Sequence, residues 1–363
     1  MITVLLAAWN GSAYIEEQLD SILGQTGLVS YQNAGKDMAP VIRVLVSDDG
    51  STDGTREILG RYQKQYPEQV ILCHRPDERR AKDLADGIPA AAGNFFWLLE
   101  CAAGKFAETE KEICSRHESK NDSVDGERQY YMLSDQDDVW KPNKAECLLA
   151  RMKELEAVHG ANHPILVHSD MEVVDANLKV IHPSFFQYQK CSPERVQFSE
   201  LLAENSVTGG AVMMNRSLVE LMQERPAACL MHDWWIALAA ACFGTISCVK
   251  EPLYLYRQHG RNTLGAKETG SAADLKARLG REELVKENYR KMAAQAHAFG
   301  KMYGDKMSEE QKAVLRAYLA LRYQSPVGRF RNIVKNRFFK SSKIHTLAQC
   351  VTIPRPDGEN WPV

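Results

Sequence analysis

Short apolar runs that alternate with helix-periodic segments constrain this chain most. Ile2 to Ala8 is a continuous apolar run of strand length, as a strand buried on both faces requires. Trp9-Asn10-Gly11-Ser12 breaks it, and Ile15, Leu19, Ile22 and Leu23 then recur at helical spacing up to about Gln25. A second strand is expected over Val41 to Ser47, then a helix carrying Ile58, Leu59 and Tyr62, then a third strand near Val70 to Cys73. Phe95 to Cys101 reads as a short amphipathic helix, and Tyr130 to Leu133 as another buried strand. Further strand-like runs are Ile165 to Ser169, Ala211 to Met214 and Leu253 to Tyr256; Asp233 opens a helix to Phe243. Such alternation predicts an α/β layer around a mainly parallel sheet with helices on both faces. Ligands of such sheets sit beyond the carboxyl ends of the strands.

Two acidic turns stand at those ends. In Ser134-Asp135-Gln136-Asp137-Asp138-Val139-Trp140-Lys141-Pro142 three carboxylates crowd a strand exit. Oxygen ligands so placed suit a hard divalent ion, Mg²⁺ or Mn²⁺, with positions left for phosphate oxygens. The rival reading is an acidic turn capping a helix that Pro142 opens and that runs to about Val158. The other turn, Val46-Ser47-Asp48-Asp49-Gly50-Ser51-Thr52-Asp53, holds a second carboxylate pair. A carboxylate there accepts from the imide N–H of uracil or thymine or from ribose hydroxyls, and those neutral donors demand no neighbouring cation. Ser51, Thr52 or Asp53 serves as a helix cap. Together the turns suggest a nucleotide-diphosphate site. No Walker-type glycine loop and no Gly-x-Gly-x-x-Gly is present, so metal holds the phosphates.

Composition bounds the rest. A net charge of −2 gives no global basic field for nucleic acid. Nine scattered cysteines without a Cys-x-x-Cys pair indicate a reducing compartment and no zinc site. No Lys or Arg precedes Lys36, so the apolar start lacks the basic region of a signal peptide, and a cytoplasmic protein is expected. Residues 105–128 are charged and weakly periodic and read as an exposed insertion. Beyond Gly265 the pattern turns helical (about 272–303 and 308–323), a C-terminal appendage on a catalytic unit of residues 1–265. Arg329 to Lys343 holds six basic residues and no acidic one. Phe330, Ile333, Val334 and Phe338 share a helical face there, as suits either an anionic membrane surface or packing on the core.

Val4 to Gly11, Val46 to Thr55, Ser134 to Trp140, Thr208-Gly209-Gly210, His232-Asp233-Trp234-Trp235 and Tyr256-Arg257-Gln258-His259-Gly260 resemble, in order, the motifs of family 2 glycosyltransferases of the GT-A fold. The nearest branch is that of bacterial rhamnosyltransferase-like enzymes of surface polysaccharide. The resemblance covers residues 2 to about 265 and implies a Rossmann-like nucleotide-diphospho-sugar transferase. By it, Asp135-Gln136-Asp137 is the Asp-x-Asp that binds metal and sugar nucleotide, with Asp137 the foremost direct ligand and Asp138 adjacent. Asp49, with Asp48, contacts base and ribose. Ala8 and Trp9 lie beside the base, where Thr-Tyr is common. Gly209 and Gly210 form the loop near acceptor and donor sugar, Asp233 is the catalytic base, and His259 reaches the metal or diphosphate. Arg257 adds a cation for the leaving group. Trp234 and Trp235 are candidates for stacking on sugars, one of them expected to pack into the core instead. Asp233 also reads as an N-cap, a role compatible with catalysis. His168-Ser169-Asp170 is triad-like in composition only and reads as a strand end near the acceptor cleft.

The activity implied is inverting, metal-dependent transfer of a sugar, L-rhamnose from dTDP-rhamnose, to a hydroxyl of a growing glycan on a lipid carrier at the inner membrane face. Alternatives are a UDP-sugar donor, a sugar-nucleotide pyrophosphorylase, or an inactive sugar-nucleotide-binding module. The pyrophosphorylase would carry a Gly-rich, Arg-containing loop where Trp9-Asn10-Gly11-Ser12 stands.

Overall fold

The computed structural model describes residues 1–27, 42–103, 128–222, 224–260 and 282–356. The insertion expected at 105–128 lies outside them apart from Arg128, as does the start of the C-terminal helix expected from 272.

The first half alternates as expected: β1 (Ile2–Ala8), α1 (Ile15–Leu23), β2 (Ile42–Asp48), α2 (Thr55–Gln65), β3 (Val70–Leu72), α3 (Asp77–Ala85), α4 (Ala90–Ala102) and β4 (Tyr130–Ser134). Then come β5 (Val139–Trp140), α5 (Lys144–His159), β6 (Ile165–Val174), β7 (Val180–His182), α6 (Phe185–Gln189), α7 (Phe198–Ala203), β8 (Val212–Asn215), α8 (Arg216–Leu221), α9 (His232–Phe243) and β9 (Thr245–Arg257). Four more helices follow among the described residues: α10 (Glu282–Tyr303), α11 (Glu309–Ala320), α12 (Pro326–Asn336) and α13 (Lys343–Thr352).

The sheet runs β3-β2-β1-β4-β8-β6-β9-β5, with β7 paired to β6. β3, β2, β1 and β4 are mutually parallel, and β8 runs against both β4 and β6. β9 lies parallel to β6. Alternate residues of each central strand feed opposite faces. Leu5, Leu45 and Leu133 enter one core with α4 and α9, while Val4, Leu6, Val44, Val46 and Met132 enter the other with α1 and α5. Both faces are covered, so the strands read as unbroken apolar runs.

Three local readings change. The segment around Phe95 is a helix buried on all sides from Ala92 to Glu100, rather than amphipathic. The acidic turn at Asp135 is separated from α5 by β5, and the residue capping α5 is Asn143. A helix cap therefore does not account for these carboxylates. β9 begins eight residues before the expected Leu253, because its polar first half is held by pairing with β6 rather than by hydrophobicity.

Phe299, Tyr303, Leu315, Tyr318, Ile333 and Phe338 join the same core as α4 and α9, so the C-terminal helices are continuous with the sheet's packing. The face expected to unite Phe330, Ile333, Val334 and Phe338 does not exist. α12 stops at Asn336, Ile333 and Phe338 are buried, and Phe330 and Val334 are exposed. His168-Ser169-Asp170 lies inside β6, fully buried, with Asp170 accepting from Phe186 N–H at 3.1 Å. Among the described residues no helix is long and apolar enough to cross a membrane.

Candidate functional site

The topology brings five chain segments to one edge of the sheet. β1, β2, β4 and β9 end there, and β8, running oppositely, begins there, preceded by the 3₁₀ turn Gly209–Ala211. The cleft at this edge has a volume of about 1810 Å³, and Ala8, Trp9, Asp49, Asp135, Gln136, Asp137, Gly209, Asp233 and His259 all line it. Its opposite wall comes from the C-terminal helices and the link between α12 and α13, through Tyr289, Met292, Lys340 and Ile344.

On the β1–β2 side Gln136 clamps the first strand exit. Its Oε1 accepts from Trp9 N–H at 2.8 Å and its Nε2 donates to the Trp9 carbonyl at 2.7 Å. A Cβ on residue 11 would stand 2.2 Å from that Oε1, so Gly11 is what lets the bridge form. The indole of Trp9, 61 % exposed, is left at the mouth of the cleft.

Asp49 and Asp48 part company. Asp48 accepts from Ser51 and, at 2.8 Å, from Arg56 Nε, so its carboxylate serves the turn. Asp49 faces the cleft and is paired at 3.0 Å with Arg75. Arg75 also grips Asp83, which Arg79 and Arg225 contact at 3.3 and 2.8 Å. Burial raises the Asp49 carboxyl above its ordinary 3.8, against the pull of Arg75 and Arg80. Asp49 thus has two neighbouring cations although a ligand with neutral donors demands none. A buried carboxylate needs one to stay ionised, even if its ligand is neutral.

At the β4 exit Asp137 Oδ2 lies 2.8 Å from His259 Nε2, and the imidazole stacks on Tyr14 with ring centres 4.9 Å apart. Two segments 122 residues apart in sequence are joined by this pair. Among the described residues no group of three or more His, Cys, Asp or Glu converges as a metal cage. An acid–imidazole pair open to a cleft nonetheless fits Mg²⁺ or Mn²⁺, which take few protein ligands and fill the rest with phosphate oxygens and water. Burial pushes the neighbouring Asp135 up to about 7, with Asp137 and Asp233 adding to the effect. Asp138 points away from the cleft and accepts from Arg257 N–H at 3.0 Å. Arg257 is 2 % exposed; it donates to the Asp137 and Ala176 carbonyls, both at 2.7 Å, and to Glu17. It straps the turn in place from behind.

Beneath the turn lies Lys144, fully buried, its ammonium 2.5 Å from the Gly210 carbonyl and 3.8 Å from the centre of the Trp140 ring. Through it the β4 turn is tied to the glycine loop. That loop in turn meets Asp233: Gly209 N–H donates to its Oδ2 at 3.2 Å and Trp234 N–H to its Oδ1 at 2.6 Å. A Cβ at residue 209 would come within 2.8 Å of His232 Nε2. Asp233 is not the N-cap, a position held by Met231, but lies in the first turn of α9. Burial raises its carboxyl to about 6, only partly offset by the two backbone donors.

Neither tryptophan next to it lines the cleft. Trp235 is fully buried against Phe299 and Tyr303, and Trp234 donates through Nε1 to the Leu201 carbonyl. Gly210 likewise sits behind the cleft wall, next to Tyr254. Arg75, Lys144 and the wall formed by α10 and α13 carry no sequence signal, since a lone Arg or Lys belongs to no motif until the fold buries it.

A family model, Glycosyl transferase family 2, matches residues 3–101. The chain is 22% identical over 288 residues to an uncharacterized glycosyltransferase of Nostoc sp., covering 77% of this chain and 72% of that one. It is 25% identical over 271 residues to the dTDP-rhamnosyl transferase RfbG of Shigella flexneri, covering 72% and 74%. Among solved structures, S. aureus TarS 1-349 in complex with UDP aligns at a TM-score of 0.46 with 12% identity, over 93% of this chain and 87% of that one. The β1–β2 motifs fall inside the family match and both acidic turns line one cleft, so residues 3–101 are similar to glycosyl transferase family 2 in the part that builds one wall of the site.

Proposed function

We propose that this enzyme transfers a sugar with inversion from a pyrimidine nucleotide-diphospho-sugar to a hydroxyl of a glycan acceptor, in the synthesis of cell-surface polysaccharide. The observation that carries the reading is the sharing of one cleft by Asp49, the Asp137–His259 pair and Asp233. Asp49 receives the imide N–H of the base, with Trp9 beside it. Asp137 and His259, with Asp135 nearby, would hold Mg²⁺ or Mn²⁺. When bound, that ion takes up the negative charge of the leaving group, so no acid is needed there. Asp233 removes the proton from the attacking hydroxyl. Inversion needs only this one base, and a carboxyl held at about 6 is matched to the task near neutral pH. Gly209 N–H and Trp234 N–H hold the carboxylate in place.

dTDP-L-rhamnose is the donor we favour, on the likeness to the Shigella flexneri relative named a dTDP-rhamnosyl transferase. A UDP-sugar is the second reading, because a carboxylate such as Asp49 accepts equally from uracil and thymine. The test is a panel of UDP-, dTDP- and GDP-sugars with Mn²⁺ or Mg²⁺, scored by release of nucleoside diphosphate. Turnover of dTDP-rhamnose above the others is expected. Turnover confined to GDP-sugars would overturn the assignment of Asp49, and no turnover of any donor would favour an inactive binding module.

A further inference from the structure

The last two helices carry an unusual surface. Of the thirteen large apolar side chains exposed among the described residues, seven lie in this corner of the chain: Tyr323, Val327, Phe330, Val334, Ile344, Leu347 and Val351. On α12 the stripe Val327, Phe330, Val334 follows i, i+3, i+7 spacing, and the opposite face buries Arg329 and Ile333. On α13 Ile344, Leu347 and Val351 repeat that spacing, while Gln349 and Cys350 face inward. Both stripes therefore point away from the packed side of their helices. Residues 311–356 contain ten Lys or Arg and no Asp or Glu. Arg331, Lys335, Lys343 and Arg355 are exposed around the stripes.

We propose that α12 and α13 form an interfacial docking surface for an anionic lipid bilayer. Apolar stripes flanked by exposed cations match the boundary between acyl chains and acidic headgroups. Charge decides against a second copy of the chain, because a two-fold contact would set this basic patch against itself. The patch is a poor surface for nucleic acid as well, since five of the six stripe residues are aliphatic and offer bases no ring to stack on. The surface differs from the face expected from sequence, as Ile333 and Phe338 are spent on the core. Lys340 and Ile344 also line the cleft, so docking sets the mouth of the cleft beside the headgroups. The enzyme would lie on the membrane, not in it.

The test is flotation of the full-length protein with phosphatidylcholine vesicles, with and without phosphatidylglycerol, at low and high salt. Binding is expected only with the anionic lipid and weakens with salt. The triple variant Arg331→Gln, Lys335→Gln, Lys343→Gln should lose partition on the order of a hundredfold, at roughly fivefold per charge. Phe330→Glu, Val334→Glu, Leu347→Glu should abolish binding. Both should keep wild-type turnover of the free sugar nucleotide, which shows that they fold. Equal flotation with neutral vesicles, or no loss in either variant, would overturn the proposal. So would a dimer in size-exclusion chromatography that the Glu variants dissociate, for then the face joins two copies.

Discussion

Replacing Asp233 by Asn separates the chemical cost of the base from the stability cost of burying it. Asn keeps the shape but has one acceptor oxygen, so it keeps only one of the bonds from the Gly209 and Trp234 N–H groups, and it cannot take a proton. The carboxyl is held at about 6 against an ordinary 3.8, because burial penalises its charge more than the two donors reward it. The folded protein therefore holds this proton more tightly than the unfolded chain does. The stabilising contribution is complete below about pH 4 and is lost as pH rises through about 6. The gap corresponds to about 3 kcal/mol that the ionised group withholds at neutral pH. Asn at 233 should recover that at pH 8 less the cost of one orphaned N–H, about 1–3 kcal/mol, so its Tm relative to wild type should be higher at pH 8 than at pH 4. In the same protein the transfer rate should fall by roughly 10²–10⁴-fold, the usual worth of a general base. The wild-type rate should climb through about pH 6 and level off above it. Calorimetry at two pH values and a pH–rate profile with the chosen donor make the assay. A variant within about tenfold of wild type would remove Asp233 as the base. A Tm difference from wild type that is the same at pH 4 and pH 8 would refute the burial argument separately.

Two further outcomes test the donor side. Arg75→Met leaves Asp49 and Asp83 buried without their shared cation, so it should cost roughly 3–5 kcal/mol in thermal unfolding and raise the donor KM. A neutral effect on both would mean that the Arg75 pairings are idle. His259→Ala removes one half of the Asp137 pair and should raise the Mn²⁺ concentration for half-maximal turnover by roughly tenfold to a hundredfold, with weaker Mn²⁺ binding by electron paramagnetic resonance. An unchanged Mn²⁺ titration would take His259 out of the metal site.

The parallel half of the sheet was legible because its strands are buried on both faces and write unbroken apolar runs into the sequence. The acidic turns were legible because strand exits are short and local, so Asp49 and Asp137 stand out as residues without a packing purpose. Partnerships across long sequence distances were not. Arg75 beside Asp49, Lys144 beneath the glycine loop and Arg257 behind the Asp137 turn depend on which strands neighbour one another. Trp234 and Trp235 were indistinguishable from sugar-stacking residues until α9 was turned to show which face it buries. The C-terminal helices were visible as helices, but periodicity alone could not tell that α12 ends at Asn336, which sends Phe338 inward and leaves Phe330 outside. The sequence by itself determined the fold class and the two acidic strand ends, because those rest on contacts between near neighbours. Tertiary structure alone decided which charges are paired, which aromatics are spent on the core and which helix wall completes the cleft, because burial is a property of the packed chain as a whole.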